Sequence, residues 1–238
     1  PGNRGVVHHI IASAVFPNAG PAADADAGEE APQARGANAR RDAQGAGLTN
    51  YVPGGGATIY PPGVAQHVKA GSKIRFQMHY TPNGKATTDA TEMGLYLSPT
   101  PPAMELKTGA ASSTAIDIPA GARNHRMVAE RSFDKAVDVH ELSPHMHFRG
   151  DSMRFEAFLP DGSSQVLLNV PKYDFNWQAL YRLSQPVRLP AGSRIRISGG
   201  FDNSRWNFFN PDAKSRVRFG EQTDDEMFIG YINYSEVP

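Results

Sequence analysis

Five of the eight histidines in this 238-residue chain occupy positions that suggest metal binding. His8 and His9 are adjacent, one residue separates His145 from His147, and His79 stands near the end of a patterned segment. Imidazole is the commonest metal ligand in proteins. The chain contains no cysteine, so a bound metal would have to rest on histidine, methionine or carboxylate side chains. These five histidines are therefore candidate ligands.

The spacing within each motif sets how its side chains can point. Residues two apart on a β-strand project from the same face with Cα atoms about 6 to 7 Å apart, so His145 and His147 could share one ion. Adjacent residues face opposite ways, so His8 and His9 need a bulge or a strand end, and a third ligand from elsewhere. A surface polar patch or a hydrogen-bonded histidine pair is the alternative interpretation of either motif alone.

A methionine near the end of the chain offers a softer ligand. Residues 221–234 read EQTDDEMFIGYINY, which predicts a strand after an acidic turn, with Met227 and Tyr231 on one face. A thioether suits Cu(I) far better than zinc, magnesium or calcium, whereas imidazole binds both oxidation states of copper. Two histidines with Met227 therefore indicate a redox-active copper, although a lone methionine is more often a core residue.

Short strands joined by turns are the elements that must position these side chains. The 23 glycines and 19 prolines favour an all-β fold with little helix. Period-two alternation predicts strands with one apolar inner face at 73–80, 152–159 and 193–198. In the first of these the predicted inner residues are Ile74, Phe76, Met78 and Tyr80. His79 falls on the opposite face, away from the core.

The length of the chain suits two domains, each with its own core. Residues 17–48, rich in Ala, Gly, Asp and Arg, predict a long mobile loop inserted between strands of the first half. Prolines in 99–113 follow a predicted strand at 94–98 and mark the better boundary. We expect domains at 1–108 and 109–238.

A short internal sequence repeat, an internal echo of 11 residues, links the two halves. AGSKIRFQMHY at 70–80 resembles AGSRIRISGGF at 191–201, which indicates a shared topology. His79 aligns with Gly200, so this strand does not itself require an imidazole at that position. A chemical role for His79 is therefore favoured.

The charge balance excludes several classes of partner. Lys plus Arg equals Asp plus Glu at 24 each, so no net field attracts nucleic acid or an anionic membrane, and a small-molecule partner is favoured. No apolar run approaches the roughly 18 residues that a membrane helix needs. We expect no nucleic-acid partner and no membrane span.

In order along the chain, the motifs resemble the copper type II, ascorbate-dependent monooxygenases, the family of the peptidylglycine α-hydroxylating and dopamine β-monooxygenases. The resemblance covers nearly the whole chain, with the motifs about 70, 66 and 80 residues apart. Its motifs are the adjacent pair His8-His9, QMHY with His79, HMH with His145 and His147, and DEM with Met227.

The resemblance implies two unlike copper sites on two tandem antiparallel β-sandwich domains of jelly-roll type. The copper held by His8, His9 and His79 would store and deliver an electron. The second copper, which binds and activates O2, would be held by His145, His147 and Met227. Ascorbate or another external reductant would reduce both, and a C–H bond of a small substrate would be hydroxylated. Gln77 matches a glutamine that supports the ligands in that family.

The chain departs from the family at the substrate. The peptide-hydroxylating members bind a carboxylate through Arg, Asn and Tyr, and the matching positions here are Ser143, Ile229 and Tyr231. Only Tyr231 survives as a candidate substrate-binding residue, so the clamp for a free carboxylate is largely absent. Family members also carry further strands before the His-His motif, so we expect a missing N-terminal segment or a partner chain. The lack of cysteine suits a bacterial homologue, in the periplasm or outside the cell.

Three hypotheses follow. The first is a copper-dependent monooxygenase, and the second is a non-catalytic copper-binding or electron-transfer module of a larger protein or assembly. The third is a structural β-sandwich with vestigial sites. The remaining histidines are interpreted as non-ligands in all three; they are His67, His125 and His140.

Overall fold

A computed structural model of the chain describes residues 1–17, 45–52, 56–60 and 62–237. These residues form strands and turns and contain no helix, so the all-β prediction is confirmed. Most of the loop predicted at 17–48 lies outside the described residues. Residues 45–48 belong to a strand, so this loop ends earlier than predicted.

Contacts between Cα atoms divide the chain into two compact units, with the division between Lys107 and Thr108. Five strands lie mainly in the first unit, namely β1 (Val7–Val15), β2 (Gly45–Tyr51), β3 (Val64–Ala65), β4 (Lys73–Tyr80) and β5 (Met104–Glu105). Those of the second unit are β6 (Lys107–Ser112), β7 (Asp117–Ile118), β8 (Arg123–Ser132), β9 (Val137–His145), β10 (Gly150–Phe158), β11 (Ser164–Val170), β12 (Tyr181–Leu189), β13 (Arg194–Asp202), β14 (Val217–Arg218) and β15 (Ile229–Glu236).

The first unit contains an antiparallel sheet in the order β2-β1-β4 and a short parallel pair, β3 with β5. The predicted inner face of β4 is wrong for three of its four apolar residues, because Ile74, Phe76 and Tyr80 are 37–45% exposed. Side chains project from the faces of a sheet, and the described residues leave this face of β4 largely open to solvent. On the opposite face, Gln77 and His79 are half-buried.

The strand predicted at 94–98 is also wrong. These residues form no strand, and the side chains of Leu95, Tyr96 and Leu97 are exposed. An apolar run becomes a strand only where a neighbour pairs with its backbone, and none of the described strands does so here.

The second unit is a β-sandwich. One antiparallel sheet has the order β11-β10-β13-β8, the other has the order β12-β9-β15-β6, and both contribute to a single apolar core. The strands predicted at 152–159 and 193–198 correspond to β10 and β13. Five of the six residues predicted to point inward are fully buried, namely Met153, Phe155, Ala157, Ile195 and Ile197. The sixth, Leu159, follows the end of β10 and is half-buried.

The internal echo corresponds to a turn followed by a strand in each unit. Gly71 and Gly192, at the two turns, have φ of 79° and 85°, a left-handed conformation that glycine adopts without strain. The strands that follow differ in position, since β4 lies at a sheet edge and β13 in a sheet interior. The likeness therefore extends over the turn and strand, whereas the sheets around them differ.

Candidate metal centres

Three imidazoles converge at the end of the β1–β4 pair. The Nδ1 atom of His9 lies 3.1 Å from Nδ1 of His8 and 3.2 Å from Nδ1 of His79. Among the residues that the structure describes, this is the one cluster of three His, Asp or Glu side chains whose ligand atoms all lie within 4.8 Å of one another. The structure thus brings together the three histidines predicted for the first site.

A β-bulge explains how two adjacent histidines can face one point. His9 pairs directly with His79 across the strands, while the register shifts between Val7 and His9. The extra residue in a bulge changes the direction of its side chain. His8 is therefore turned toward the side of the sheet that carries His9 and His79. This is the re-orientation that two adjacent histidines need in order to share one ion.

The separations between nitrogens suit a first-row metal ion. Metal–nitrogen bonds of about 2.0 Å in a tetrahedral arrangement place the nitrogens about 3.3 Å apart. The two short Nδ1 separations, 3.1 and 3.2 Å, are close to that value. A single Nδ1 cannot donate to one neighbour and accept from another at once. Three nitrogens aimed at one space therefore fit an ion better than a chain of hydrogen bonds.

The surroundings of His8 and His79 favour the neutral form of both imidazoles. Burial lowers the pKa of His8, and the neighbouring His79 lowers it further. Burial also lowers the pKa of His79. A neutral imidazole keeps a lone pair for a metal, so the first site is prepared for a cation. Gln77, on the same face of β4 as His79, is half-buried and pairs with Ile11 of β1.

The second pair of histidines lies where β9 ends. His145 is the last residue of the strand, and His147 lies in the following turn, so the prediction that both stand on one strand is wrong. Their ring centroids are nevertheless 5.4 Å apart, with the ring planes at 87°. His147 is buried and His145 is half-buried. The turn therefore places the two imidazole rings side by side, as the His-x-His spacing on a strand was expected to do.

Hydrogen bonds select the tautomer of both rings. Nδ1 of His145 lies 2.7 Å from Oε1 of Gln178, whose amide nitrogen donates to the Phe175 carbonyl. That second bond orients the amide, so Oε1 must accept and His145 Nδ1 must donate. Nδ1 of His147 faces the carbonyl oxygen of Asp225 at 3.3 Å. Each imidazole therefore presents the lone pair of Nε2, whereas the histidines of the first cluster converge through Nδ1.

Met227 lies on the segment next to this pair. It is half-buried and precedes β15, so the prediction that it stands on the same strand as Tyr231 is wrong. Ile229, two residues after Met227, pairs with His145, and Glu226, the residue before Met227, accepts the backbone N–H of His147. The backbone thus brings the third predicted ligand to the same end of the sheet.

Ser143, Ile229 and Tyr231, the three positions compared with a carboxylate clamp in the sequence analysis, lie around His145. Tyr231 pairs with Ser143 across the strands, and its ring centroid is 6.2 Å from that of His145. The Ser143 hydroxyl donates to the carbonyl of Ala179, and Ile229 is apolar. None of these residues is a cation that could pair with a substrate carboxylate.

Four residues around the second site were given no role in the sequence analysis. Gln178 and the backbone of Asp225 orient the histidines, and the buried side chains of Arg149 and Glu226 lie behind them. Burial raises the pKa of Glu226, whereas the backbone N–H groups and the Arg149 guanidinium that face it lower the pKa and favour the carboxylate. Three of the four had a signal in the sequence, since Asp225 and Glu226 belong to the DEM motif and Arg149 follows HMH by two residues, whereas Gln178 had none.

The other histidines have different surroundings. His140 lies 2.8 Å, through Nε2, from the hydroxyl of Ser235, and His67 is exposed. His125 is half-buried on β8. Asn207, in the loop at 202–212, donates through its side-chain amide to the carbonyl of Phe148, the residue after His147.

Replacing Gln178 tests whether it prepares His145 for a metal. We expect Gln178→Leu to lower the copper affinity of the second site by about 10- to 100-fold, because the acceptor that holds Nδ1–H is lost. Gln178→Glu keeps an acceptor and should retain the affinity. Competition titration with a Cu(I) chelator measures both variants, and equal losses in the two would contradict this role.

Comparisons with known proteins add little to this geometry. The sequence matches no protein-family model and no curated protein. Among solved structures, the infectious bursal disease virus VP2 subviral particle is 10% identical, with a TM-score of 0.24 over 62% of this chain and 46% of that one. The D431N mutant VP2 of the same virus is 9% identical, with a TM-score of 0.26 over 99% of this chain and 52% of that one. The chain spans about half the length of these structures, and TM-scores this low support no conclusion.

The described residues contain no helix with the length and hydropathy that a membrane crossing requires.

Proposed function

We propose that the protein binds two copper ions and is a monooxygenase that hydroxylates a C–H bond of a small substrate with O2 and a reductant such as ascorbate. The observation that carries the proposal is the convergence of Nδ1 atoms from His8, His9 and His79. A second pair of imidazoles with fixed tautomers, at the other ligand motif, supports a second site of different composition.

The two ligand sets differ in the oxidation state that they favour. Three neutral imidazoles stabilise Cu(II) more than two imidazoles and a thioether do, so the Met227 site favours Cu(I). When bound, copper supplies the electron transfer and O2 activation that no side chain provides. The contribution of the protein is orientation, because Gln178 and the Asp225 carbonyl keep Nε2 of both histidines available.

The surroundings of His145 favour a neutral substrate. Ser143 and Ile229 replace the polar clamp of the peptide-hydroxylating enzymes, and the Ser143 hydroxyl is already bonded to the Ala179 carbonyl. Tyr231 contributes an aromatic surface beside the ring of His145. A substrate with a free carboxylate would lose hydration here without a cation to replace it.

The copper affinity should depend on pH in a direction set by the imidazoles. Burial lowers the pKa of His8, His79 and His145 below the ordinary value of 6.5. Protons compete with copper only near and below the pKa of the ligand, so the affinity should stay constant from about pH 8 to about pH 6.5 and fall at lower pH. Competition titrations across this range check the expectation. A steady fall beginning at pH 8 would contradict it.

Paramagnetic resonance of the copper-loaded protein tests the redox function. Ascorbate added without oxygen should abolish the Cu(II) signal, and O2 admitted afterwards should restore it. A signal that ascorbate leaves unchanged, or that O2 does not restore, would refute the monooxygenase. Full redox cycling without a hydroxylated product from any C–H substrate would favour the electron-transfer module.

A further inference from the structure

We propose that Glu226 is a positioning residue that holds the segment carrying Met227 against the turn carrying His147, and so sets the geometry of the second site. The inference rests on the proposed copper function. Glu226 is buried, and its carboxylate accepts the backbone N–H of His147, a candidate ligand. The next residue in the chain is Met227, the third candidate ligand of this site.

Both oxygens of Glu226 bind the turn that follows β9. Oε2 accepts the backbone N–H of His147 at 2.8 Å, and Oε1 accepts that of Arg149 at 2.6 Å. Met227 is the next residue along the chain after Glu226. One fully buried side chain therefore links the backbone of a histidine ligand to the backbone of the methionine.

Arg149, in the turn after His147, also bonds to the segment that carries Glu226 and Met227. Its guanidinium donates through Nη1 to the carbonyl of Asp224 at 2.7 Å and through Nε to Oδ1 of Asn203 at 2.9 Å. Together with the contact from His147 Nδ1 to Asp225, this attaches three successive residues, 224–226, to the His147 turn. The acidic turn can then move relative to the histidines only if these bonds break.

Burying Glu226 and Arg149 is expected to contribute more to the positioning of the second site than to the folding stability. Removing a carboxylate and a guanidinium from water costs several kcal/mol for each ion, and apolar replacements of buried ion pairs are often neutral or stabilising. Glu141, on β9, is also buried, but among the residues that the structure describes it bonds only side chains, those of Arg182 and Asn233. Glu226 differs because its acceptors engage the backbone of a metal-site turn.

The test uses Glu226→Gln in the full chain, with Glu141→Gln as the matched control. An amide nitrogen cannot accept a hydrogen bond, so the side chain in Glu226→Gln could satisfy only one of the two N–H groups. In this variant we expect the Cu(I) affinity of the Met227 site to fall by about 10- to 100-fold, with loss of copper–sulfur scattering in X-ray absorption. The first site should stay filled, and Glu141→Gln should keep the copper–sulfur signal.

Hydrogen exchange in the metal-free protein separates this inference from the copper function. The amides of His147 and Arg149 should lose protection in Glu226→Gln and keep it in Glu141→Gln. Unchanged protection, or a wild-type copper–sulfur distance in folded Glu226→Gln, would overturn the positioning role. If Glu226→Gln does not fold, Glu226→Asp keeps two acceptors on a shorter side chain, and an unperturbed copper–sulfur distance in that variant would overturn the role equally. If the wild-type protein binds no copper at this site, the proposed function is refuted. Hydrogen exchange would still test whether Glu226 holds the backbone of His147 and Arg149.

Discussion

His79→Ala should lose one of two bound coppers and retain the other. His79 supplies one of three converging Nδ1 atoms, and the remaining pair comes from adjacent residues of one strand. Loss of an outer partner alone lowers metal affinity by about 10- to 100-fold, so loss of a ligand should exceed about 100-fold at this site. Equilibrium dialysis against buffered copper, followed by metal analysis, measures the change.

The control for this experiment is His67→Ala. His67 is an exposed histidine of the same unit, outside the cluster of three. It should bind the same two coppers as the wild type. Equal copper contents in the His79→Ala protein and the wild type would show that the converging nitrogens do not hold an ion.

Met227→Leu should leave all five candidate histidine ligands in place and still abolish reductant-dependent O2 consumption. The exchange conserves volume, so the expected cost in folding free energy is less than about 1.5 kcal/mol. It removes the thioether that favours Cu(I), and the Cu(I) affinity of the second site should fall by at least about tenfold. An oxygen electrode with ascorbate as the reductant, combined with Cu(I) chelator competition, measures both effects.

Met153→Leu is the matched control, because Met153 is a methionine of the β10 core with 1% of its surface exposed. Its copper affinity and oxygen consumption should equal those of the wild type. If Met227→Leu also retained wild-type oxygen consumption, the thioether would have no part in the reaction.

Alternation in the sequence predicts the strands well and their solvent exposure less well. In β10 and β13 the apolar residues are buried as expected, because two sheets enclose them. In β4 the same alternation identifies two faces, yet Phe76 is exposed and His79 is half-buried. Periodicity shows which residues share a face, but which face becomes covered depends on distant segments.

The candidate sites show a similar limit. The resemblance to copper monooxygenases supplied the grouping of His8, His9 and His79, whereas the residues alone indicated only that the adjacent pair needs a bulge or strand end and a third ligand. The choice of Nδ1 in one site and Nε2 in the other depends on local backbone direction and on Gln178, which is 33 residues from its partner His145. Such partners are set by tertiary packing and leave no local pattern.

The copper content and copper ligands of the wild-type protein test the central claim most directly. Dialysis against Cu(I), followed by metal analysis and X-ray absorption, should give two coppers per chain, with sulfur scattering from one of them. The nitrogen-only copper should correspond to His8, His9 and His79, which converge through Nδ1. A protein that binds one copper or none, or two coppers without any sulfur ligand, would contradict the assignment.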